Sequence, residues 1–391
     1  MNDKRTTMNH SYSFYRMKKS ILGLLMLTAI MVGCAANNND KLHVMGNLKN
    51  TGDTLLALTQ ERQNNPQKVV VKNGTFEFDF PLTEPTTLYL VAPQVMRGQQ
   101  GTQIAVLGVP GETLELKGDA QGSYDVGGSA FYQEYHESDV KAEPVKKKLL
   151  DLAQRCTDML QQGVSGDSVR ALYLRESKPL LQQMEAVLTD FIKTHAQSDV
   201  AAAIIPQLPP QKMRDAVALL SDKVKNGRMK AYYQKAIDQY EAQQKAEQSS
   251  AELQAEGREA PDFTLNDING RPLKLSSLRG KYVVLDFWGS WCGWCIKGFP
   301  EMKRYYSKYK GKFEILGIDC NDPEPKWKTA VEQHQLPWLH VYNPNGSTLL
   351  NDYGIQGFPT KIVVDPQGKI ARTVVGEDPS FYTYLDELFG Q

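Results

Sequence analysis

The chain has 391 residues, 41% of them hydrophobic, with 45 basic and 45 acidic side chains. That length suggests two or three domains with sizeable cores, and the balanced charge gives no argument for nucleic acid as a partner. Among five cysteines, only Cys292 and Cys295 stand close together. Zinc would need a second such pair, so no metal is implied.

At the N-terminus, Arg16-Met17-Lys18-Lys19 precedes an apolar run over residues 21–32 and then Gly33-Cys34. A charged start followed by an apolar stretch too short to span a bilayer comfortably reads as an export signal; Met17 is a second candidate start. Met31-Val32-Gly33-Cys34 resembles a bacterial lipobox, with Met at its usual Leu position. The resemblance implies cleavage before Cys34, lipid on its sulfur and Asn37-Asn38-Asn39-Asp40 as a tether. The other reading is a free cysteine beside an ordinary cleavage site. Loss of residues 1–33 removes five basic groups and one acidic one, leaving 40 against 44.

Residues 34–126 are set apart as one domain, and from Lys41 to about Val126 the period is two. Thr75-Phe76-Glu77-Phe78-Asp79-Phe80 alternates cleanly after the turn signal Asn73-Gly74. Residues 54–58, 87–91, 104–107 and 113–117 supply further strands, with Pro110-Gly111-Glu112 as a turn. The expectation is an antiparallel β domain, a sandwich. Met45-Gly46-Asn47, Asn73-Gly74-Thr75-Phe76 and Val109-Pro110-Gly111-Glu112 resemble the β domain found ahead of TlpA-like domains in bacterial lipoproteins. That resemblance implies no catalytic residues; the region reads as a spacer, with a binding role as the alternative.

Residues 127–250 turn helical. Leu149, Leu150, Leu152, Ala153 and Met159 mark one apolar face, and Leu180, Leu181, Met184, Val187, Leu188 and Ile192 a second. Leu208-Pro209-Pro210 breaks the pattern and residues 216–224 resume it. The polar run over 243–250 reads as a solvated helix end or linker.

The richest stretch is Trp288-Gly289-Ser290-Trp291-Cys292-Gly293-Trp294-Cys295. Leading into it, Lys281-Tyr282-Val283-Val284-Leu285-Asp286-Phe287-Trp288 reads as a buried strand; after it, residues 296–310 read as a helix, which Pro300 should kink. The cysteines therefore sit where a helix begins, and free amides there favour an anion, the Cys292 thiolate. Cys295, one turn on, would attack a mixed disulfide formed on Cys292. Further along, Gly357-Phe358-Pro359-Thr360 precedes a strand; a proline so placed can be cis, and the Phe358-Pro359 backbone can pair with an extended chain. Cys156 and Cys320 are isolated in sequence and read as a bridge or as two buried thiols.

Asp286-Phe287-Trp288-Gly289-Ser290-Trp291-Cys292-Gly293-Trp294-Cys295, Pro300 and Gly357-Phe358-Pro359-Thr360 resemble thioredoxin. Ala260-Pro261-Asp262-Phe263-Thr264-Leu265, Val363-Val364-Asp365-Pro366-Gln367-Gly368-Lys369-Ile370 and the insertion over 319–353 resemble its membrane-tethered TlpA/ResA-like branch. The match covers residues 258–391. It implies an α/β thioredoxin-like domain, a central mixed sheet with helices on both faces. It makes Cys292 the attacking thiol, Cys295 the resolving thiol, Pro359 a cis proline and Asp286 a buried carboxylate that shuttles a proton for Cys295. Trp291, Gly293, Trp294 and Phe358 are the expected client contacts. Gly293-Trp294 replaces the Gly-Pro of thioredoxin, so direction does not carry over. Alignment puts Ile315 where thioredoxin has a lysine partner for the aspartate, so desolvation should raise the Asp286 pKa.

The function implied is that of a lipid-anchored, periplasm-facing thiol–disulfide oxidoreductase of the cell envelope, with reduction favoured over oxidation. Its redox group is the Cys292–Cys295 disulfide, with no further cofactor. Its partners would be exported protein thiols or disulfides and a membrane or periplasmic electron donor. One alternative is a thiol peroxidase, because Pro261-Asp262-Phe263-Thr264 also opens peroxiredoxin-like chains; Gly289, however, stands three residues before Cys292, where that chemistry uses Thr or Ser. The other alternative is a non-catalytic envelope-binding lipoprotein.

Overall fold

The computed structural model describes residues 40–63 and 65–390; the expected signal and Cys34 lie outside them. The chain divides between Tyr240 and Glu241 into two compact units.

In the first unit, β1 (Lys41–Lys49), β2 (Thr54–Leu58), β3 (Gln67–Val70), β4 (Thr75–Pro81), β5 (Thr86–Val91), β6 (Gln103–Gly108), β7 (Thr113–Asp119) and β8 (Tyr124–Gly128) form two four-stranded sheets. Their orders are β4-β1-β7-β8 and β3-β2-β5-β6. Period-two patterning puts Leu42, Val44 and Leu48 of β1 in one apolar cluster with Leu55, Ala57, Leu88 and Leu90 of the other sheet. The result is a sandwich. Every pairing within the sheets is antiparallel save one: β1 runs parallel to β7. The Asn73-Gly74 turn forms with both residues at positive φ, and Lys72 and Thr75 exchange backbone hydrogen bonds across it. Its two arms then part, β3 pairing with β2 and β4 with β1, so the turn carries the chain from one sheet to the other.

The helices α1 (Ala130–Gln161), α2 (Gly166–Thr194), α3 (Asp199–Ala203), α4 (Met213–Leu219), α5 (Asp222–Lys225) and α6 (Lys230–Leu253) follow. Phe131, Tyr132, Phe191, Ile192 and Val200 join the sandwich's own cluster, so strands and helices share a core. Tyr132 ties α1 to that core: its hydroxyl donates to the Leu107 carbonyl at 2.8 Å and accepts from the Val109 amide at 3.2 Å. The polar run over 243–250 lies inside α6, since Gln, Glu, Lys and Ala are good helix formers even without an apolar face.

The second unit contains β9 (Thr264–Asp267), β10 (Pro272–Lys274), β11 (Tyr282–Trp288), α7 (Gly293–Lys308), β12 (Phe313–Asp319), α8 (Glu324–Gln333), β13 (Leu339–Tyr342), α9 (Leu349–Asp352), β14 (Thr360–Val364), β15 (Ile370–Val375) and α10 (Ser380–Phe389). One seven-stranded mixed sheet has the order β10-β9-β13-β12-β11-β14-β15. β11 lies parallel to β12 and antiparallel to β14. Val284, Trp288, Ile315 and Val363 pack on one face with residues of α7, α8 and α10. Val283, Leu285, Phe287 and Ile362 pack on the other with Leu349 of α9, Leu275 and Ala260. With both faces covered, β11 reads as a continuous apolar run, broken by a single charge at Asp286. This is the expected thioredoxin-like arrangement.

Candidate active site

β11 ends at Trp288, and three residues later the chain enters α7 with Cys292 as its N-cap. The Cys295 amide donates to Cys292 Sγ at 3.2 Å, the bond an N-terminal amide offers to a thiolate. Cys292 and Cys295 are joined as a disulfide with their Cα atoms 5.3 Å apart. Both are buried, Cys292 6% exposed and Cys295 2%, so Cys292 is the more accessible residue of the two. α7 continues past Pro300 to Lys308. Around the buried pair, Trp291 and Trp294 are 48% and 59% exposed, and the Lys297 ammonium lies 4.5 Å from the Trp294 ring centroid. Gly293 opens the helix with clear space around its Cα.

Two loops hold the turn before the cysteines. Asp322, buried after β12, accepts from the Ser290 amide at 2.6 Å and from its hydroxyl at 2.7 Å. The Trp291 indole donates to the Cys320 carbonyl at 3.0 Å, and its ring meets that of Phe358 edge-on with centroids 5.2 Å apart. The Phe358–Pro359 peptide bond is cis. The Pro359 carbonyl accepts from the Gly376 amide at 2.7 Å. Asp322 and its neighbour Asp319 were invisible as site residues in the sequence; Asn321-Asp322-Pro323 at a strand end was their one signal. Asp319 is fully buried, and its carboxyl is pushed up to about 8, first by burial and then by the Asp322 carboxylate. Cys156 and Cys320 are free and buried rather than bridged. Burial, with Asp319 and Asp286 nearby, pushes the Cys320 thiol far up, which keeps it inert in exchange.

Asp286 occupies the face of β11 that it shares with Val284 and Trp288, residues that pack with Cys295 and Phe299 of α7. It is 1% exposed, and its Oδ1 has no hydrogen-bond partner among the described residues. Burial pushes its carboxyl up to about 6. The expected direction holds, but the expected lack of a cation does not. Ile315 does stand in β12, opposite Val284. The cation comes from the other neighbour strand: Lys361 of β14 lies directly across from Asp286 and is 1% exposed. Desolvation, the largest effect, and the nearby Glu377 push the Asp286 pKa up and together outweigh the downward pull of the Lys361 charge. Lys361 Nζ makes its ion pair with Glu377, at 2.7 Å.

The model of the AhpC/TSA family matches residues 257–373. The thiol-disulfide oxidoreductase ResA of a Bacillus cereus strain is 37% identical over 122 residues, 31% of this chain and 70% of that protein. ResA of Bacillus subtilis (strain 168) is 32% identical over 123 residues, 31% of this chain and 68% of that protein. A crystal structure of the thioredoxin domain of a thiol-disulfide oxidoreductase from Bacteroides vulgatus has 33% identity, covering 34% of this chain and 98% of that one with a TM-score of 0.33. The matched stretch of the ResA proteins spans more than two thirds of their length, and the family match over residues 257–373 of this chain takes in Asp286, Cys292, Cys295 and Pro359. The chain belongs to the ResA-type thiol-disulfide oxidoreductases.

Proposed function

We propose that this oxidoreductase works as a reductase of disulfides in exported proteins, held at the cell envelope by lipid on Cys34 and facing the periplasm. Cys292 attacks a client disulfide, and the client stays bound through a mixed disulfide. Cys295 loses its proton to Asp286, attacks Cys292 and releases the client thiol. A membrane or periplasmic dithiol donor then restores the enzyme. Trp291, Trp294 and Phe358 offer the client an apolar surface beside the sulfurs, with Pro359 and Gly293 shaping the backbone there.

The observation that carries the direction is Asp286. With its carboxyl at about 6, it is mostly ionised at neutral pH, and so stands in its base form beside Cys295. That state favours the resolving step of reduction. The test is the reduction potential of the Cys292–Cys295 pair in defined thiol–disulfide buffers. A value of about −270 mV is expected; a value of about −120 mV, that of a strong oxidant, overturns the direction. For the anchor, the Cys34→Ala protein should leave the membrane fraction for the soluble one; unchanged fractionation overturns lipidation.

A further inference from the structure

Four charged or polar groups converge beside α7 in the second unit. Asp286 and Lys361 face each other from β11 and β14, on the sheet face that α7 covers. A buried ammonium needs a partner, and Lys361 takes the Glu377 carboxylate, from the turn after β15, at 2.7 Å. Glu377 is itself fixed: the Tyr382 hydroxyl of α10 donates to its other oxygen at 2.6 Å. It also fills a vacant place on α7. Gly298 lies one turn past Cys295, and a Cβ there would overlap the Glu377 carboxylate. The glycine leaves room for a carboxylate that arrives from a distant part of the chain.

We propose that Glu377 is a positioning residue for proton transfer at Cys295: by holding the Lys361 ammonium in an ion pair, it leaves the Asp286 carboxylate free to act as the base. This rests on the proton role given to Asp286 above. In the resolving step the Cys295 S–H proton passes to the Asp286 carboxylate, and the Cys295 sulfur attacks Cys292 Sγ. The Cys292–client S–S bond breaks, and the client sulfur leaves with the electron pair. The two electrons come from the enzyme's own dithiol, which the donor dithiol replenishes. A lysine released onto Asp286 would hold that carboxylate as a salt and weaken it as a base.

The titratable groups around Asp286 are Lys361 of β14, Glu377 after β15, Tyr382 of α10 and Cys295 of α7, with Cys320 after β12 in the cluster of the opposite sheet face. Of these, Glu377 and Lys361 bear the opposed charges, and both consequences of Glu377→Gln act in one sense. The repulsion from Glu377 disappears, and the attraction of Lys361 is released to Asp286.

The full chain, reduced, is mixed rapidly with excess 5,5′-dithiobis(2-nitrobenzoate). The first thionitrobenzoate released reports attack by Cys292, the second reports resolution by Cys295. In the wild type the second phase should quicken as pH rises, with a midpoint near the Asp286 carboxyl's value of about 6. Glu377→Gln should move that midpoint down by about one to three pH units, and Glu377→Asp should restore most of it. Gly298→Ala changes no charge but displaces the carboxylate, so it should shift the midpoint the same way. If both Glu377→Gln and Gly298→Ala leave the midpoint in place while Asp286→Asn abolishes the rise, the role of Glu377 is wrong and that of Asp286 stands. If Asp286→Asn leaves the rise untouched, the proton role itself falls, and this inference with it.

Discussion

The two units of the molecule treat buried polarity differently. Among the described residues of the first unit, the buried polar side chains are hydroxyls: Thr51, Thr59, Thr102, Ser138 and Ser177. In the second unit they include Asp286, Asp319, Asp322, His340 and Lys361. The first unit keeps ion pairs such as Lys41–Asp79 where water reaches them, at 38% and 44% exposure. The second drives carboxyls up to about 6 and about 8 at Asp286 and Asp319, and holds His340 down to about 4, in each case chiefly by burial. Taking a charge out of water is expensive unless it is paired. Buried ionisable groups with displaced pKa values cluster where a fold carries chemistry, and here they lie in the unit that holds the Cys292–Cys295 disulfide.

The sharpest test of that contrast is the stability of Asp286→Asn. The folded state raises the Asp286 pKa from 3.8 to about 6, so the native protein binds the proton more tightly than the unfolded chain. Below pH 4 both states are protonated and the aspartate costs nothing. As pH rises from about 4 to about 6 the native state must bury a charge, and stability is lost. At pH 8 Asp286→Asn should therefore be more stable than wild type by up to about 3 kcal/mol, and the difference should close by pH 3. Chemical denaturation at the two pH values reads both; equal stability at pH 8 would mean that Lys361 compensates the charge in full. A much smaller effect is expected in the other unit. There Lys41 and His43 hold the Asp79 carboxyl below its usual range, but the group is solvated. Lys41→Met should change stability by no more than about 0.5 kcal/mol, less at high salt; a larger loss would break the contrast.

What was legible in the sequence is what lies contiguous in it. The strand, the helix start, the cysteine pair and the proline before β14 are local signals, each read from a few neighbouring residues. Asp286 was marked by the resemblance to thioredoxin, through the contiguous run from Asp286 to Cys295. Its cation was not, because strand partnership is set by register between distant segments. Ile315 belongs to β12, on one side of β11, whereas Lys361 arrives from β14 on the other, across the antiparallel pairing. Glu377 was hidden further, in the turn after β15, and its only sequence trace is the missing side chain at Gly298. In the first unit the same limit applies. Alternation marked the strands of the sandwich, and Asn73-Gly74 marked the turn. Neither disclosed that the chain changes sheets there, or that β1 would pair in parallel with β7.

That placement of β1 gives the first unit a mechanical property. β1 is flanked on both edges, by β4 and by β7, with Leu42, Val44 and Leu48 fully buried. Tension applied through the residues ahead of Lys41 would act along the length of an interior strand. Two ladders of hydrogen bonds run across that line of force, so they would have to yield together in shear rather than unzip one by one. Any tether ahead of Lys41 is thus fastened to the middle of a sheet, and a shortened protein beginning after Lys49 would lose a central strand.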